Sequence, residues 1–135
     1  MDVDAALRFV ADNHHAVLAT RRRDGAPQMS PVAVGVVDDK IVVSSRETAI
    51  KVKNLQRDNR ASLCLLNDGF FGPWGQVEGP AEIVHLPEAM DGLIAYFRQI
   101  SGEHPDWDEY RDAMQREQRV LIRVTPERAG PSVSG

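Results

Sequence analysis

The stretch His15–Val32, HAVLATRRRDGAPQMSPV, decides the fold. Its first part, His14–Thr20, is short and rich in small and branched residues, which suits a strand. Asp24–Gly25 readily supplies the positive φ angles of a tight hairpin turn. The valine-rich return, Gln28–Val37, reads as the antiparallel partner, and Asp38–Lys40 as the next turn. Working outward, Ile41–Ser45, Arg60–Leu66, Trp74–Val84 and Arg119–Val124 complete a set of six short strands. Helices are expected over Asp4–Asn13, capped by Asp2 or Asp4, and over Ala49–Arg57, capped by Thr48. Two more follow over Pro87–Ile100 and Pro105–Gln118. The expectation is an α+β, mainly β barrel of six antiparallel strands with peripheral helices. It forms one domain over residues 1–126, followed by a disordered or partner-held tail over 127–135.

Composition narrows the function. The chain has 135 residues and a net charge of −4, against the basic balance expected of a dedicated nucleic-acid binder. No apolar run is long enough for a membrane span, and the acidic N-terminus does not resemble a secretory signal. The single cysteine, Cys64, cannot form an internal disulfide, which suits the cytoplasm. Its apolar surroundings predict a buried, inert thiol. The four histidines form no metal-binding spacing, and no phosphate loop, nucleophile elbow or GxGxxG is present. No side chain is singled out as catalytic.

What remains is a set of anion-binding and ring-facing candidates. Ser44 and Ser45 end a strand, Thr48 opens a helix, and Lys51 lies in its first turn, together a phosphate seat or a simple helix start. Arg21, Arg22 and Arg23 offer either a ligand for an acidic group or charge protection of a strand edge. Trp74 suits stacking on a planar ring or packing in the core.

Taken in order, HAVLATRRRDGAPQMSPV, IVVSS (41–45), KVKNLQRDNRASL (51–63) and WGQVEGPAEIV (74–84) resemble the pyridoxamine-phosphate-oxidase-like split-barrel superfamily. LIAYFRQISGEHPDWDEYRDAM (93–114) resembles its actinobacterial branch dependent on the deazaflavin coenzyme F-420. The resemblance implies a homodimer of Greek-key split barrels with cofactor sites between subunits. It gives Lys51 the phosphate role, with Asn54 one helical turn beyond. It places Val43, Ser44 and Ser45 against the ring. Thr20, Gln28, Ser30 and Val32 fall on the strands beside it, Arg21 near the acidic tail, and Trp74 on the partner's side.

The departures are equally specific. Ser30 stands where the vitamin B6 oxidases carry an arginine for the FMN phosphate, and Gly35 where they carry a lysine for pyridoxal phosphate. Nothing here resembles their C-terminal substrate-binding extension. The expected function is therefore an F-420-dependent reductase of an unsaturated or quinone-like small molecule. An FMN reductase or a non-catalytic cofactor carrier of the same fold is the alternative. A proton donor would be water, or Tyr96, Tyr110 or His104 if the last helices border the pocket. The segment Glu103–Trp107 reads as a rigid interhelical turn.

Overall fold

The computed structural model describes residues 1–131. In chain order the elements are α1 (Val3–Asp12), β1 (His15–Arg21), β2 (Pro27–Ala33), β3 (Gly35–Val37), β4 (Lys40–Arg46) and α2 (Ile50–Arg57). They continue with β5 (Arg60–Leu66), β6 (Trp74–Val84), α3 (Met90–Ser101), α4 (Trp107–Arg116), β7 (Arg119–Val124) and β8 (Arg128–Gly130). Asp2 is the cap of α1, its carboxylate accepting the Ala5 N–H at 2.8 Å.

The protein is mainly β, with every strand pair antiparallel in the order β2-β1-β5-β6-β7-β4-β3 and β8 attached to β6. Eight strands replace the six expected, for two reasons. The run expected as Gln28–Val37 breaks at Val34, whose N–H still bonds His14 on the β1 side while Gly35 already pairs with Val42 of β4. And Arg128–Gly130, expected in a disordered tail, pairs with Gln76–Glu78. Residues 132–135 of that tail lie outside the described residues.

The break has a consequence for shape. One bent segment, β2 followed by β3, supplies both ends of the sheet path, so the sheet curls back upon itself. Beyond Val42, however, β4 has no strand partner on its β3 side among the described residues, and β2 has none opposite β1. These two free edges bound a seam.

Strand alternation tells which backbone groups face it. Pairing of Val34 with His14 sends the even residues of β2 toward β1, so Pro27, Met29, Pro31 and Ala33 turn their main chain to the seam. Two of those four are prolines, which have no N–H to give. The edge therefore cannot zip onto β4, a common use of proline on edge strands.

Two apolar clusters hold the fold. Inside the barrel lie Leu18, Val34, Val43, Leu63, Val77 and Ile122, all essentially inaccessible to solvent. Outside it, Val42 and Leu121 pack under α3 and α4 through Leu93, Ile94, Tyr110 and Met114. Each such side chain stabilises by roughly 1.5–3 kcal/mol on burial, before entropy is counted. Among the described residues no helix is long and apolar enough to cross a membrane.

Candidate functional site

Five of the expected residues meet where α2 crosses the seam. The Lys51 ammonium donates to the Ser30 hydroxyl at 3.2 Å, joining α2 to β2. One turn on, the buried Asn54 donates to the Thr20 hydroxyl at 3.1 Å, and Thr20 donates to the Gln28 carboxamide oxygen at 3.3 Å. Arg57 closes the chain, donating to Asn54 Oδ1 at 3.3 Å and to the Arg21 carbonyl. The i, i+3 spacing of 51, 54 and 57 puts all three on one helix face.

Electrostatics single out Lys51. It is half-buried, and among the described residues it has no carboxylate partner. Its pKa lies below that of an ordinary lysine, chiefly because burial strips water from the ammonium and secondly because Arg119 repels it. A partly desolvated cation beside a second cation, with only a hydroxyl to bond, is suited to an anion. Arg119, at the start of β7, bonds Glu117 at 2.8 Å through its guanidinium.

Ser44, Val43 and Ser45 take different positions. Bonding of both Val36 main-chain groups to Gln99 shows that Val36 faces away from β4. By alternation Val42 then turns its main chain to Gly35 of β3 and Ser44 turns its own to the open seam, while Val43 and Ser45 are bound to β7. The side chains of Val43 and Ser45 are buried. Val32 is partly buried on the β2 wall, packed against the barrel core.

Other placements differ from expectation. Thr48 does not cap α2; Ala49 does, with no side-chain bond, because a turn from Arg46 carries Thr48 out into solvent. Arg21 is gripped by the Asp58 carboxylate through two contacts of 2.8 Å, and that pairing holds the Asp58 pKa low. Arg22 and Arg23 lie exposed in the hairpin turn with no ion pair among the described residues. Trp74 pairs with Leu66, which in turn opposes His15 at the far end of β1 from Thr20. Five residues of strand separate the two levels, about 17 Å at the usual rise. Within one protomer Trp74 is not brought to Lys51. Cys64 is half-exposed on the outer sheet face and not buried, because it occupies the even-numbered, outward phase of β5.

Of the three proton-donor candidates, only Tyr96 borders the seam, donating to the Ala33 carbonyl at 2.9 Å. Tyr110 is buried under α3, donates to Leu93, and has its pKa pushed up to about 12, mainly by desolvation. His104 packs against Phe97, Trp107 and Tyr110, and its Nδ1 accepts the Asp106 N–H, fixing the interhelical turn. No cluster of three or more metal-ligating side chains occurs among the described residues. Arg57 and Arg119 were not foreseen. Their proximity to the seam depends on register across distant strands, although the i+3 step from Asn54 pointed to Arg57.

The sequence profile of the family described as pyridoxamine 5'-phosphate oxidase matches residues 3–131. The chain belongs to this family. It is similar in structure to a conserved protein of Mycobacterium tuberculosis, Rv2991, with 26% identity over 100% of this chain and 93% of that one, TM-score 0.79. A structure described as an F420 reductase superposes with TM-score 0.69 at 20% identity, over 91% of this chain and 94% of that one. A heme binding protein from Mycobacterium smegmatis gives TM-score 0.72 at 19% identity, over 94% of this chain and 52% of that one. The last two likenesses speak for the fold alone.

Proposed function

We propose that this protein is a homodimeric oxidoreductase dependent on coenzyme F-420, reducing an unsaturated or quinone-like small molecule in the cytoplasm. The observation that carries the reading is Lys51: half-buried, repelled by Arg119, and bonded among the described residues only to the Ser30 hydroxyl. These residues fit a phosphate. Both F-420 and FMN carry one, so the preference for F-420 rests on Arg22 and Arg23, whose exposed guanidiniums suit an oligoglutamate tail.

When bound, reduced F-420 supplies the hydride. The chain's own part is positioning. Lys51 and Ser30 anchor the phosphate, and the seam-facing amides of Met29 and Ser44 are placed to meet ring heteroatoms between the two edges. Val32, on the inward face of β2, supplies apolar surface that excludes water. Asn54 and Thr20 hold α2 at the distance this requires.

Dimerisation is supported by the outer face of β1, β2 and β5. Met29 is 63% exposed, Phe70 61% and Phe71 85%, beside a groove of about 450 Å³ lined by Val17, Pro31, Leu66 and Phe70. A patch of this kind marks an interface. A second copy seated there would carry its Trp74 toward the other protomer.

The test is turnover. Purified protein is mixed with reduced F-420 and a panel of quinones, and the return of the oxidised deazaflavin absorbance is followed. Quinone-stimulated oxidation supports a reductase. Tight binding without stimulation indicates a carrier, and activity with reduced FMN alone moves the protein to the flavin reductases.

A further inference from the structure

We infer that Tyr96 is a positioning residue of the cofactor seat, fixing the separation of the two seam edges; this rests on the reading above. Its phenol lies where β2 and β4 begin to part. The hydroxyl donates to the carbonyl of Ala33, the last residue of β2, at 2.9 Å. The helix that carries it packs on β3 and β4. The phenol thus ties the free edge of β2 to the helix that backs β4.

The helix that carries it is held rigidly at this point. One turn along α3, the Gln99 carboxamide takes the Val36 N–H at 2.6 Å and donates to the Val36 carbonyl at 2.9 Å, occupying the outer edge of β3 as another strand would. Gly35 permits this approach: a Cβ there would stand 2.7 Å from Gln99 Oε1 and 3.5 Å from the Tyr96 ring. Lys51 to Ser30 spans the seam near α2, and Tyr96 spans it near β3. Between these two ties the opening has a fixed width. An opening of fixed width is what sustains binding of a planar heterocycle.

The test compares Tyr96→Phe with Tyr110→Phe, which deletes another phenol, one that donates to Leu93 away from the seam. Titration with oxidised F-420 and with FMN, the absorbance band of the bound ring, and melting temperature are measured for each. Tyr96→Phe should bind the preferred cofactor up to about tenfold more weakly, the loss of one hydrogen bond. It should also shift the bound ring's absorbance. Tyr110→Phe should lower the melting temperature at least as much while leaving binding and spectrum unchanged. If Tyr96→Phe binds like wild type with an unshifted band, the proposal fails alone. Equal weakening by both variants also overturns it, because the effect is then general destabilisation. If the wild type binds neither cofactor, the functional reading fails and the proposal with it.

Discussion

The Lys51 ammonium lies 3.2 Å from the Ser30 hydroxyl, bridging a helix and a strand that share no backbone bond. By the resemblance of the sequence, Ser30 takes the place of an arginine in the vitamin B6 oxidases. The bridge therefore exchanges a second fixed cation for a small hydroxyl and leaves one lysine to neutralise the anion. That arrangement makes the seat sensitive to Lys51 alone.

Replacing Lys51 with Met should weaken binding of either phosphate-bearing cofactor by about 10- to 100-fold, the usual worth of one charge-assisted bond. Thermal stability should hold or rise slightly, since the substitution removes a desolvated cation that Arg119 repels. Titration and melting curves of the same preparations check both signs. A fall in both would mean that Lys51 is structural.

The pH dependence follows from the direction of the Lys51 shift. The unfolded chain keeps the lysine protonated to about pH 10.4, while the folded protein releases that proton at lower pH. Between the two values the unfolded state binds more protons, so this group makes stability rise with pH. Cofactor affinity moves the other way, falling as pH climbs through the lowered value. Lys51→Arg should abolish the alkaline loss of affinity, because guanidinium stays charged.

Asp58→Asn should raise the affinity for F-420 several-fold and leave FMN unchanged. It releases Arg21 from the two-contact pair and removes a carboxylate from beside the hairpin arginines. Parallel titrations decide. A rise for both cofactors would place the effect on the phosphate and not on the acidic tail.

Gly35→Ala should cost about 1–3 kcal/mol. The added methyl drives the Gln99 oxygen from the Val36 N–H, and with it α3 from the sheet edge. Denaturant unfolding measures the loss, and Ala at Gly25, where a Cβ meets no atom within 4 Å, separates packing from backbone strain.

Local pattern carried most of the fold. Asp-Gly at 24–25 placed the first hairpin, and the apolar run in Arg60–Leu66 placed a strand, but not which of its residues face inward. The split of 27–37 was written less openly. It is set by Val34 choosing β1 while Gly35 chooses β4, a competition between distant partners that no window of sequence contains. The prolines at 27 and 31 were visible, but their meaning as gaps in a row of donors appeared only once the register was known. At the site, Lys51 with Asn54 was legible as helical spacing, whereas Ser30 beside Lys51, Arg119 and Tyr96 depended on tertiary approach. Arg21 looked free in sequence and is engaged, because Asp58 follows the helix that packs on β1.

The most direct test is fluorescence titration of the intact protein with oxidised F-420 and, separately, with FMN, each repeated on Lys51→Ala. The account predicts saturable binding of F-420, weaker binding of FMN, and loss of at least tenfold in affinity for F-420 in the variant. Binding of neither cofactor, or binding that Lys51→Ala leaves untouched, would contradict it.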